Sequence, residues 1–99
     1  MVILVKVKYP YQSTKEMATK FLEAPPIPEF MVMKGPYFTG TTQDGMIATT
    51  IMELNDKSKL ADGIDFLGKF MSIYYEIPGF SCEYRQAFEI DEAMKIVGL

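Results

Sequence analysis

The sequence predicts an α+β fold, in which a four-stranded antiparallel sheet carries two helices on one face. Segments with alternating apolar and polar residues, typical of strands, occur near both ends of the chain and in its middle. Two segments with apolar residues at helical spacing separate them. The pair Asp44-Gly45, a strong signal for a tight turn, joins two strands into a hairpin. Because 99 residues provide material for one core, we expect a single domain over residues 1–99.

The first strand and the first helix are predicted close to the start of the sequence. Val2–Tyr9 is rich in β-branched residues, and Pro10 ends it. No basic segment precedes these residues and no small-residue cleavage site follows them, so they predict a strand and not a signal peptide. Ser13 and Glu16 form the capping-box pattern of a helix N-terminus, and prolines from Pro25 onward end that helix.

The central hairpin is predicted to join strands over 29–42 and 46–54, with Asp44-Gly45 as a two-residue turn. The first of these strands contains Gly35-Pro36, and proline is tolerated in a sheet only at an edge or a bulge. We therefore expect an edge strand that bends at this pair. The two-residue turn sets a register that pairs Thr41 with Ala48, Thr39 with Thr50, and Tyr37 with Met52.

The remaining elements follow the hairpin. A second helix is predicted over 59–76, where apolar residues form two adjoining stripes that indicate burial on more than one side. Asp56 or Ser58 is expected to cap its N-terminus. Alternation returns over 80–89 as a fourth strand, and a short last helix is predicted over 92–97.

The order β-α-β-β-α-β is the ferredoxin-like arrangement, with the first and third strands in the centre of the sheet. The sheet face away from the helices is then bare, and a small domain needs a partner to cover an apolar sheet face. In element order and size the chain resembles the dimeric α+β barrel proteins: it has a strand from its first residues, an interrupted edge strand at 34–36, a tight hairpin at 44–45 and a C-terminal helix at 91–97. The resemblance implies a homodimer, or a larger even-numbered oligomer, whose sheets pair face to face.

Composition excludes several classes of chemistry. Without histidine there is no Ser-His-Asp triad, no Cys-His pair and no histidine-ligated metal or haem. The single cysteine, Cys82, forms no internal disulfide, fits a reducing cytoplasm, and is expected to be a buried inert thiol. A net charge of −3 with one arginine argues against nucleic acid, and no apolar stretch is long enough for a membrane span. We expect no catalytic residue, no metal and no cofactor.

The alternation of each strand assigns its residues to the two faces of the sheet. The face under the helices is expected to carry apolar residues, namely Ile3, Val5, Val7, Phe38, Ile47, Ile51, Phe80, Cys82 and Tyr84. The opposite face carries the polar residues that could bind a ligand, namely Lys6, Lys8, Tyr37, Thr39, Thr41, Thr50, Glu83 and Arg85. Because the strand over 46–54 is apolar on both faces, a one-residue change of register would exchange its two faces.

Three functions are compatible with this assignment. A homodimer could bind a small organic or anionic molecule inside the barrel, next to the polar face. Alternatively, the cluster of lysine, glutamate and arginine is an ion-pair ladder in the interface of a structural or regulatory oligomerisation module. The resemblance also implies a third possibility, a cofactor-independent monooxygenase- or isomerase-like enzyme, although the family members that depend on a pocket histidine or tryptophan find no counterpart here.

Overall fold

The four strands form one antiparallel sheet in the order β2-β3-β1-β4, in a computed structural model that describes all 99 residues. The first and third strands are central, as predicted. Along the chain the elements are β1 (Val2–Tyr9), α1 (Thr14–Leu22), β2 (Met31–Thr41), β3 (Gly45–Leu54), α2 (Leu60–Ser72), β4 (Ser81–Ala87) and α3 (Ile90–Ile96). Single turns of 3-10 helix, Tyr11–Ser13 and Lys57–Lys59, lead into α1 and α2. None of the helices combines the length and the apolar character that crossing a membrane requires.

The central strand β1 has the two faces that its alternation predicts. Ile3, Val5 and Val7 are buried under the helices, whereas Lys6 and Lys8 are exposed on the opposite face, which we call the open face. β4 follows the same rule, because Cys82 and Tyr84 pack against the core while Glu83 and Arg85 are exposed. The predictions for these two strands are confirmed.

The hairpin between β2 and β3 differs from the prediction in its turn. Three residues, 42–44, form the turn, and Thr41 pairs directly with Gly45. The main-chain N–H of Asp44 donates to Thr41 Oγ1 at 2.9 Å, which stabilises this turn. Ala48 consequently lies opposite Phe38 and not opposite Thr41, a shift of three residues. An odd shift turns β3 over relative to β2.

The shift moves three predicted positions to the other face of the sheet. Thr50, expected on the open face, is buried under the helices and pairs with Val5 of β1. Ile47 and Ile51, expected under the helices, instead lie on the open face, opposite Lys8 and Leu4. On β2 the predicted faces hold, since Phe38 shares a face with Ala48, and Tyr37, Thr39 and Thr41 lie on the open face.

The interruption of β2 follows the prediction made from its glycine and proline. The pairing between β2 and β3 breaks between Lys34 and Tyr37, at Gly35-Pro36, and β2 is an edge strand. Proline has no N–H to donate to a neighbouring strand, so this position tolerates it only where the ladder is already broken.

The helices α1 and α2 pack on the sheet to different depths. α2 buries Gly63, Leu67, Phe70 and Met71, and it ends at Ser72 rather than at residue 76. A Cβ atom built on Gly63 would lie 3.2 Å from Leu54 Cδ2, so this glycine lets α2 approach the sheet closely. α1, in contrast, buries only Met17.

The helix termini differ from the prediction at the start of α1 and agree with it at the turn before α2. Ser13 precedes α1 but makes no capping hydrogen bond through its side chain, whereas Asp56 accepts from the N–H of Ser58 at 2.9 Å at the turn before α2. At α3, which begins two residues earlier than predicted, the N–H of Glu89 donates to Glu92 Oε1 at 3.2 Å. The buried Glu92 carboxylate also holds the Met1 ammonium at 3.1 Å and Lys57 Nζ at 2.9 Å.

Candidate functional site

A cavity of about 540 Å³ lies between the helix-facing side of the sheet, α1 and the end of α2. This volume is in the range of small-molecule binding sites in proteins. Of the 18 residues that line it, 15 are hydrophobic. The sheet contributes Val5, Val7, Tyr9, Met33, Pro36, Phe38, Met46, Ala48, Thr50 and Met52; α1 contributes Thr14, Met17, Ala18, Phe21 and Leu22; and α2 with the turn after it contributes Phe70, Met71 and Tyr74.

The cavity exists because α1 covers its part of the sheet incompletely. Met17 is the one buried residue of this short helix, and Phe21 reaches the end of α2, where its ring meets the edge of Phe70 at a centroid distance of 6.2 Å. Leu22, which is 85% exposed, and Phe38 of β2, which is also exposed, line the cavity as well. These two side chains therefore mark its opening to solvent, between α1 and the edge strand.

No charged side chain lines the cavity, and its side-chain polar groups are hydroxyls. Thr14 Oγ1 donates to the Tyr11 carbonyl at 2.6 Å and is thereby satisfied. The hydroxyls of Thr50, Tyr9 and Tyr74 take no part in the side-chain hydrogen bonds of the protein. The cavity thus has apolar walls and a few uncharged groups that can form hydrogen bonds.

Burial keeps the tyrosines of the cavity protonated. Desolvation raises the pKa of Tyr74 to about 12, and it also raises the pKa of Tyr9 above its usual value, because the phenolate loses its hydration in apolar surroundings. A phenol with a raised pKa donates a hydrogen bond but does not serve as a base near neutral pH. The arrangement is suited to binding a molecule and orienting it.

Seven of the eight residues predicted from the sequence as a ligand site lie together on the open face, on the other side of the sheet from the cavity. They are Lys6, Lys8, Tyr37, Thr39, Thr41, Glu83 and Arg85, and all are exposed. Lys6 lies opposite Glu83 in the register of β1 and β4, as expected. Glu83 Oε2, however, is 3.2 Å from Arg85 Nη2 of its own strand. The eighth residue, Thr50, lies in the cavity.

The free thiol of Cys82 lies under the helices beside the core, partly buried. Burial raises its pKa, which keeps it in the less nucleophilic thiol form. Its environment agrees with the interpretation of Cys82 as a structural residue.

Nowhere in the chain do three or more aspartate, glutamate or cysteine side chains gather as a metal site would require. Comparison of the chain with family models, curated proteins and solved structures found no match. The chemistry that the protein can support therefore follows from the two surfaces described above, the apolar cavity and the open face.

Proposed function

We propose that this protein binds a small, largely apolar molecule in the cavity between the sheet and α1. The observation that carries the proposal is the composition of a cavity of about 540 Å³, in which 15 of 18 lining residues are hydrophobic and none is charged. An apolar molecule that enters such a cavity leaves water and gains about 25 cal/mol for each Å² of apolar surface that it buries. Binding, not catalysis, is the function that the hydroxyl groups and the apolar walls support.

A neutral, environment-sensitive dye tests this proposal. N-phenyl-1-naphthylamine should gain fluorescence on titration into the protein, and it should raise the melting temperature, because a ligand that binds the folded state alone stabilises it by about 2.7 kcal/mol at a hundredfold excess over Kd.

A matched pair of variants locates the dye. Ala48, buried on the sheet side of the cavity, is changed to leucine, and Ala87, on the open face of β4, receives the same change. Ala48→Leu should weaken binding at least about tenfold, since the added methyl groups occupy the space of the ligand. Ala87→Leu should bind like the wild type. Equal binding by both variants would contradict the proposal.

We also propose that the chain is a ferredoxin-like domain that pairs with a second copy through its open face, as in the dimeric α+β barrel proteins. The strand order, with β1 and β3 central, supports the first part. The apolar side chains of the open face support the second: Leu4 is 44% exposed and lies opposite the partly buried Ile51, and Val32 and Tyr37 of β2 are 43% and 60% exposed. Exposed apolar side chains gathered on one face of a small domain are typical of contact sites between proteins.

The charged residues of the open face fit this pairing. Neither Lys6 nor Lys8 has an ion-pair partner in its own chain, whereas Glu83 and Arg85 lie on the adjacent strand. In a two-fold arrangement of two sheets, the lysines of one copy can meet the acidic side chains of the other. In this proposal the polar residues that the sequence predicts as a ligand site serve the interface between subunits.

A further inference from the structure

The absence of charge from the cavity restricts the ligands that it can hold. An ionised group moved from water into apolar surroundings without a charged or polar partner loses its hydration at a cost of many kcal/mol. The cavity offers no lysine or arginine to compensate a carboxylate. Lys20 of α1, the nearest basic residue in sequence to Phe21, does not line the cavity and is paired with Glu76. An anionic ligand, one of the two classes that the sequence allowed, therefore finds no counter-charge here.

The hydroxyls of the cavity restrict the ligand further. Thr50 is 8% exposed and lies on a central strand, where every neighbour on its face is apolar: Val5 pairs with it, and Ala48 and Met52 lie two residues away on each side. A valine would have the same shape and would avoid the cost in free energy of burying an unpaired hydroxyl.

Tyr74, in the turn after α2, presents the same feature. It is 3% exposed, its ring packs between those of Phe70 and Phe80, and its hydroxyl makes no hydrogen bond to the protein. Neither this hydroxyl nor that of Thr50 is among the fully buried side-chain atoms that lack a hydrogen-bond partner. Since neither hydroxyl forms a hydrogen bond, each has some exposed surface, and both side chains line the cavity.

From these observations, and on the basis of the proposed function, we infer that the cavity selects an uncharged apolar molecule that carries a hydroxyl or carbonyl group, and that Thr50 and Tyr74 hydrogen-bond to that group. The apolar walls supply the affinity, and the two hydroxyls orient the ligand. A carboxylate on the same carbon skeleton is rejected, because its charge would be desolvated without a partner.

Three probes of similar shape test the inference by calorimetric titration at pH 7. They are naphthalene, 2-naphthol, which is uncharged at this pH, and 2-naphthoate, which is ionised. The wild type should bind 2-naphthol about fivefold to tenfold more tightly than naphthalene, which corresponds to one satisfied hydrogen bond. It should bind 2-naphthoate more weakly than either.

Two double variants assign the selectivity to the named hydroxyls. Thr50→Val with Tyr74→Phe removes both hydroxyls and should lower the preference for 2-naphthol over naphthalene severalfold, with both ligands measured on that variant. The control, Thr49→Val with Tyr75→Phe, makes the same chemical changes at the adjacent exposed positions and should keep the preference. Naphthalene binding also shows that each variant is folded.

The outcomes separate this inference from the proposed function. The inference is wrong if the wild type binds 2-naphthol no more tightly than naphthalene, or if it binds 2-naphthoate as tightly as 2-naphthol. It is also wrong if the variant without the two hydroxyls keeps the full preference for 2-naphthol. In each of these cases the cavity remains a binding site. If none of the three probes binds, the proposed function itself is wrong, and the inference falls with it.

Discussion

Glu92 is the most strongly perturbed carboxylate of the molecule. Lys57, the N–H of Glu89 and the Met1 ammonium lower its pKa from 4.5 to about 2, because each stabilises the ionised form. A group whose pKa is lower in the folded state stabilises the fold when it is ionised in both states. This contribution is therefore complete above pH 4.5 and is lost as the pH falls toward 2.

Replacing Glu92 by glutamine should remove this acid dependence. We expect Glu92→Gln to be less stable than the wild type at pH 7 and to lose less further stability between pH 4.5 and 2, a window that follows from the two pKa values. Urea unfolding at a series of pH values measures it. Glu16→Gln, at an exposed position of α1, is the control and should keep the wild-type acid dependence. If the free energies of unfolding of Glu92→Gln and of the wild type fell in parallel between pH 4.5 and 2, Glu92 would not be the source of the acid dependence.

Gly45 and Gly68 should respond to alanine in opposite directions. Gly45 has a φ of +91°, and a Cβ atom there would lie 2.9 Å from the carbonyl oxygen of Tyr9, so Gly45→Ala should destabilise the fold by about 1–3 kcal/mol. Gly68 lies in α2 with nothing within 4 Å of a Cβ atom, so Gly68→Ala should stabilise it by about 0.5–1 kcal/mol. Thermal unfolding of both variants measures the two effects, and a stable Gly45→Ala protein would argue against the three-residue turn.

At the scale of elements, the hairpin marks the limit of what the sequence predicts. Its position, its edge strand and the break at Gly35-Pro36 follow from residue types whose backbone preferences are strong. The register of the hairpin does not follow from its residue types, because Asp44-Gly45 is compatible with turns of two and of three residues. The apolar pattern of β3 cannot decide between them, since Ile47, Ala48, Ile51 and Met52 provide apolar side chains on both faces.

Of the eight residues predicted as a ligand site, Thr50 alone lies on the other face, for the same reason. Its predicted place depends on the register of the hairpin, whereas the faces predicted for β1 and β4, whose residues alternate clearly, agree with the structure. The cavity depends on how the side chains of five elements, β1, β2, β3, α1 and α2, pack together, and the pattern of a single segment does not determine such packing. The sequence contains one related signal: α1 is short and carries Ala18 where a larger side chain would fill space.

α1 should be the element that responds to a ligand. Because it buries Met17 alone, its amide hydrogens should exchange faster than those of α2, which buries four residues. Saturation with 2-naphthol at a hundredfold excess over Kd should slow exchange in Thr14–Leu22 by up to about a hundredfold, since opening of α1 would require release of the ligand. Hydrogen–deuterium exchange with mass spectrometry measures it. Protection confined to α3, none of whose residues lines the cavity, would contradict this role.

At the scale of the whole molecule, the open face should join two copies. Sedimentation velocity should find a dimer of the wild type, and Leu4→Glu should convert it to a monomer, because the new carboxylate would be buried in an apolar contact. Leu99→Glu, at a position that is 88% exposed, is the control and should remain dimeric. A monomeric wild type would contradict pairing through the open face.

The methionines make the cavity directly observable. The chain has eight methionines, distributed over the cavity and the rest of the molecule. Those that line the cavity are Met17, Met33, Met46, Met52 and Met71. Met94 of α3 lies outside it and is exposed, so its methyl group reports on binding elsewhere.

The most direct test of ligand binding in the cavity is therefore a titration with 2-naphthol that is monitored by NMR. The protein is labelled with ¹³C at its methionine methyl groups. Binding in the cavity predicts that the resonances of Met17, Met33, Met46, Met52 and Met71 shift together and saturate with one Kd, while that of Met94 stays in place. Shifts confined to Met94, or no shift in any methionine at concentrations that saturate a small-molecule site, would contradict it.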